Sequence, residues 1–116
     1  MKRYMAVFTG SPASMDAWTA LDEAQRQQRE RDGMAAWHLW VERHGASIVE
    51  QGAPLGKTLR VDKDGIAATR NNLAAYTVVQ AESHEAAAAM FRQHPHFTIF
   101  PGDGVEVMEC LPIPGM

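Results

Sequence analysis

The stretch Leu73–Ala81 (LAAYTVVQA) constrains this chain more than any other. β-Branched and aromatic residues fill its middle, and Asn71-Asn72 and Ser83 close its ends, which predicts a β-strand. Allowing for a slip near its start, one face carries Ala75, Thr77, Val79 and Ala81. The other carries Leu73, Ala74, Tyr76 and Val78. Both faces are mainly apolar, so both need cover. The orientation of Tyr76 matters most. On a helix-covered face it would meet the tryptophans and help define a pocket. On the opposite face it would meet a partner.

The rest of the chain reads as elements around this strand. Arg3 to Thr9 is a predicted strand with apolar residues of both parities, ended by Gly10. Ser11 followed by Pro12 is a helix start, a cap hydroxyl before a first-turn proline, and predicts a short helix to about Trp18. Thr19 to Asp22 is a second capping pattern, ahead of the charged segment Glu23 to Asp32. Gly33 is expected to weaken that helix. Met34, Trp37, Val41 and His44 then recur at steps of three and four, with Trp40 beside them, so Met34 to His44 reads as the core-packing half. Gly45 is the expected C-cap.

Ala46 to Glu50 is a predicted strand, Gln51 to Gly56 a loop punctuated by glycine and proline, and Lys57 to Val61 a further strand. Asp62 to Gly65 is a turn, with Ile66 to Thr69 pairing back. Ser83 caps a helix with Glu85 in its first turn, and Pro95 stops it. Phe97 to Gly104 is an expected loop, Val105 to Leu111 the last strand, and Pro112 to Met116 an extended tail docked along an edge or a partner.

The order strand, helix, two or three strands, helix, strand is a ferredoxin-like plan: an α+β fold with one mainly antiparallel sheet and helices on one face. At 116 residues the chain suits one domain spanning 1–116. Two helices can cover only one sheet face. Large exposed apolar faces are rare on monomers. A second copy packed sheet on sheet about a two-fold axis is the simplest cover, and predicts a homodimer.

Composition narrows the function classes. The net charge of −3 gives no electrostatic footprint for nucleic acid or an anionic membrane. No run approaches the roughly 18 apolar residues of a membrane span. Only Tyr4 to Phe8 is apolar near the N-terminus, too short for a secretory signal. With the single cysteine, Cys110, this predicts a cytoplasmic protein.

Several of these segments match a known family in order. Gly52-Ala53-Pro54-Leu55-Gly56, the Tyr76 strand running into Gln80 to Ala87, the His94-Pro95-His96 turn and the closing Val105-Glu106-Val107 strand with Pro112 resemble YCII-related (DGPF-type) proteins. The chain has Asp64-Gly65-Ile66-Ala67 where many relatives carry Asp-Gly-Pro-Phe. The resemblance implies a dimeric α+β barrel and a place among barrels that include oxygenases and isomerases. Some members carry a proposed catalytic His–Asp pair with the histidine on the first long helix, where this chain has His38 and His44.

The residues able to do chemistry also have plainer roles. His44 shares a helical face with Trp37 and Val41 and is the candidate general base at the rim of a helix–sheet pocket; the plainer role is a core-edge histidine with one hydrogen bond. His38 is expected to point elsewhere. Trp37 and Trp40 are candidate pocket walls for a planar ligand, although such residues are more often core. His94-Pro95-His96 invites a metal reading, but two ligands do not make a site, and no metal or cofactor is expected. Arg60, Arg70, Asn71 and Asn72 could bind an anion at a cleft mouth, where a solvated turn is the commoner explanation. Cys110 has no flanking base.

The resulting expectation is a small homodimeric protein with a ligand pocket between helices and sheet, acting without a cofactor on a small metabolite by acid–base chemistry. Its site set is His44 as catalyst, with Trp37, Trp40, Arg70, Tyr76, His94 and His96 around the ligand. The alternative is a non-catalytic small-ligand-binding or protein-interaction module. A heme-binding relative is a minor third.

Overall fold

A computed structural model describes residues 1–115 of the chain. Its four-stranded sheet is built from β1 (Lys2–Thr9), β2 (Ile48–Pro54), β5 (Leu73–Ala81) and β6 (Gly104–Glu109), in the order β2-β5-β1-β6. The observed pairings are all antiparallel. Helices α1 (Pro12–Thr19), α2 (Glu23–His44), α3 (His84–Ala89) and α4 (Pro95–Thr98) complete this α+β, ferredoxin-like arrangement. A separate hairpin, β3 (Thr58–Asp62) with β4 (Gly65–Thr69), stands outside the sheet. The radius of gyration is 16.2 Å, above the about 13 Å of an average domain of this length.

The central strand has the predicted bounds, and the slip at its start is real. Phe8 pairs with Ala75 but Thr9 pairs with Leu73, so Ala74 is the extra residue of a bulge. Cross-strand partners share a face. Tyr4–Val79, Ala6–Thr77 and Phe8–Ala75 therefore point together toward the helices. Tyr4, Ala6, Phe8 and Val79 are all within 2% of full burial and form the core with Trp40, Ala81, Ala87 and Phe91. Burying each large side chain of this set contributes about 1.5–3 kcal/mol. The opposite face carries Met5, Val7, Tyr76, Val78 and Met108, with Arg3, Gln80 and Glu106 at its margins. No helix among the described residues covers it.

Several local expectations are corrected or refined. The N-cap of α2 is Asp22, whose carboxylate accepts from Gln25 N–H while the Gln25 side chain reaches back to Asp22 N–H. Thr19 instead closes α1, donating its hydroxyl to the Asp16 carbonyl. Gly33 is no weak point: it is buried where α2 meets Phe100, and a Cβ there would lie 2.5 Å from that ring. Gly45 is the C-cap of α2 as expected, in right-handed geometry, and leads into a 3-10 turn over Gly45–Ser47. The segment assigned to a loop at Gln51 instead continues β2 through Pro54. Pro95 does not stop α3, which ends at Ala89; it opens α4, which runs to Thr98, into the expected loop. Leu111 and Ile113 of the tail are exposed; Met116 lies outside the described residues.

Candidate functional site

The helix-covered face leaves a gap at one end. Tyr4 packs on His84 at 5.3 Å between ring centroids, but beyond Phe8 the helix layer stands off the strands. A cavity of about 490 Å3 opens there between α2, β2 and β5, within the usual size range of small-molecule sites. Trp37, Trp40, Val41, Ile48 and Phe100 supply its apolar walls, and Ala75 and Thr77 its sheet side. The tryptophans are held from behind. Trp40 donates its indole N–H to the Met90 carbonyl at 2.7 Å, and Trp37 meets Phe8 edge-on at 5.3 Å.

Two histidines on the α4 turn have different fates. His94 is the N-cap of α4: its Nδ1 accepts from His96 N–H at 3.0 Å. The ring proton is therefore on Nε2 in the neutral form. His94 is fully buried, and that Nε2 has no hydrogen-bond partner. The rings of Trp37, Trp40, Phe8 and Phe91 surround it at 4.5, 4.9, 5.1 and 5.9 Å between centroids. Burial, then the neighbouring His96 and His44, pushes its pKa down to about 4. His94 is thus a neutral core imidazole and does not line the cavity.

His96 has the opposite arrangement. Its Nε2 lies 2.8 Å from the Thr9 carbonyl. A carbonyl only accepts, so Nε2 bears hydrogen and the neutral ring keeps a bare lone pair on Nδ1. That Nδ1 has no protein partner among the described residues. Unlike Nε2 of His94, it is not sealed from the surface. The ring is 8% exposed and borders the cavity. Gly102 makes this possible: a Cβ there would fall 2.3 Å from His96 Nε2 and 2.4 Å from its carbonyl. Sequence alone gave no sign that the Thr9 carbonyl fixes this ring.

The other expected site residues separate. Trp37 and Trp40 line the cavity. His44 does not: the cavity closes at Val41 and Ile48, where α2 gives way to β2, one turn short of it. It lies half-buried behind Trp40, at 5.0 Å between centroids. Burial, with Arg43 adding repulsion, holds its pKa below the ordinary value. His38, read as pointing elsewhere, is instead a lining residue. Tyr76 borders the cavity from the strand but pairs with Val7 on the uncovered face. Its hydroxyl donates to Glu50 at 2.7 Å, and this bond raises its pKa. Arg70 lines a second cleft of about 820 Å3, which His96 also borders. Phe8 and Phe100 line the cavity and were not foreseen as site residues. Their signals were the parity shared with Tyr4 and the glycine opposite Phe100. Among the described residues, no three His, Cys, Asp or Glu side chains gather into a metal-binding group.

No family model matches the chain, and no curated protein sequence does. Among solved structures it is similar to 5-chloro-2-hydroxyhydroquinone dehydrochlorinase from Burkholderia phenoliruptrix AC1100, in complex with 2,5-dihydroxybenzoquinone. The identity is 16% and the TM-score 0.55, over 94% of this chain and 93% of the other. At that identity the likeness is one of fold. No helix among the described residues is long and apolar enough to cross a membrane.

Proposed function

We propose that this chain is a homodimeric, YCII-like enzyme that carries out acid–base chemistry on a small metabolite, without a cofactor, in the cavity between α2 and the sheet. The observation that carries this reading is His96: a buried ring whose tautomer the Thr9 carbonyl fixes, with an unpartnered Nδ1 beside an aromatic-walled cavity. Nδ1 takes a proton from an acidic C–H or O–H of the ligand, forming imidazolium, and returns it to the product. His38 is the second titratable group on the wall. Trp37 and Trp40 flank the ring of the ligand, and His94 supports the turn that carries His96.

The homodimer rests on the uncovered sheet face. Met5 and Met108 are 36% and 44% exposed there, and Val7 and Val78 lie beside them. The β3–β4 hairpin adds Leu59, Val61 and Ile66, each at least 66% exposed. A second copy would remove this apolar surface from water. The same hairpin favours the second reading, an interaction module with no chemistry of its own.

The test is solvent deuterium exchange into hydroxylated aromatics, with chloride release from 5-chloro-2-hydroxyhydroquinone as a parallel assay. The expected result is turnover by the wild type, lost by about 100-fold or more in His96→Gln and retained in His44→Gln. Inactivity of the wild type in both assays would favour the interaction module.

A further inference from the structure

His96, Phe100 and Ala74 border both the inner cavity and the outer cleft. What the outer cleft adds is charge. Lys57 and Arg70 stand one residue beyond the Thr58–Thr69 pair, at the root of the hairpin, and both line the cleft. Among the described residues neither has an ion pair or a side-chain hydrogen bond. No acidic residue lines the cleft. The nearby Asp103 carboxylate is engaged by the hydroxyls of Ser11 and Ser14. An arginine fork suits a carboxylate, with lysine adding a second charge.

We infer that the two spaces form one site for an aromatic carboxylate. Its flat ring lies in the inner cavity against the aromatic wall, beside His96, and its carboxylate reaches Arg70 and Lys57 in the outer cleft. This assignment rests on the reading of the inner cavity as a ligand site and extends it to a substrate class.

Tryptophan fluorescence titrations test it, because Trp37 and Trp40 line the cavity. The full chain is titrated with benzoate and 2-naphthoate, and with the neutral benzamide and 2-naphthamide. The expected result is that at least one acid binds about tenfold or more tightly than its amide. Arg70→Gln removes most of that preference without changing amide binding, Arg70→Lys restores part of it, and Lys57→Gln has a smaller effect. Arg70 is exposed at the hairpin root, so these variants fold. Acids and amides binding alike, and unchanged in Arg70→Gln, would overturn the carboxylate subsite while leaving the inner cavity as a ligand site. Failure of all four probes to bind the wild type would overturn both.

Discussion

Tyr4 and Met5 are neighbours in the chain and opposites in the molecule. Tyr4 is 2% exposed beneath the helices, whereas Met5, one step along the same strand, is 36% exposed on bare sheet. The pattern repeats on β5, where Val79 is fully buried and Val78 is only partly so. Side chains of similar hydrophobicity thus do two kinds of work. On one face they fix the fold and leave a cavity where the helices stand away. On the other they form a surface that a single chain leaves open. Apolar composition identifies a strand that needs cover; only the supply of helices decides which face receives it.

The largest expected effect comes from breaking the covered face. Phe8→Ala removes a ring packed against Trp37, Phe91, His94 and His96, and should cost about 3–5 kcal/mol in urea denaturation. Met5→Ala, on the open face, should cost about 1 kcal/mol or less within one chain. In a dimer it should instead weaken association, read by light scattering against concentration. Equal losses for the two would erase the distinction between the faces.

The acid limb of stability sharpens the comparison, since the buried His94 belongs to the covered side. Its folded-state pKa of about 4 lies below the ordinary 6.5, so protonation favours the unfolded chain. Its contribution is whole above about pH 6.5 and is lost as pH falls toward 4, about 3 kcal/mol in total. His44, also held low by burial, adds loss of the same sign. His94→Asn keeps a helix-capping side chain but cannot titrate. Denaturation midpoints across this range should therefore fall less steeply in that variant.

Gly33→Ala should be smaller still. The added methyl meets the Phe100 ring, which must swing aside, at about 1–2 kcal/mol against a helix-propensity gain of about 1 kcal/mol. Gly45→Ala has open space around it and should be neutral or slightly stabilising. Comparing the two melting temperatures separates close packing from helix propensity. Arg60→Ala, which removes an exposed pair with Asp62 on the hairpin, should change stability by about 0.5 kcal/mol or less.

Much of the fold was legible because its signals are local. Ser11 before Pro12, Ser83 before an alanine run, and the β-branched middle of Leu73–Ala81 act within a few residues of themselves. The errors came from a local signal misjudged and from distant residues. Asp22 beats Thr19 as a cap because Gln25 completes the box. Gly33 looks weak until Phe100, far along the chain, arrives against it. The site followed the same rule. Helical spacing correctly grouped Trp37 and Val41, yet it also carried His44 past the end of the cavity. His38 was discounted for lying one step off that face, although the cavity is wide enough to reach it. The His94-Pro95-His96 turn drew attention as a pair, but one ring is consumed as a cap in the core and the other is held beside the cavity by a strand carbonyl.

The bare Nδ1 of His96 is the point on which the functional account turns. A long-range proton–nitrogen correlation spectrum of histidine-labelled protein reads it directly, with His96→Gln assigning the signals. At a pH where the ring is neutral, the account predicts hydrogen on Nε2 and an unprotonated Nδ1 whose resonance moves when 2-naphthoate is added. A His96 ring protonated on Nδ1, or an Nδ1 resonance indifferent to every ligand that quenches the tryptophans, would contradict it.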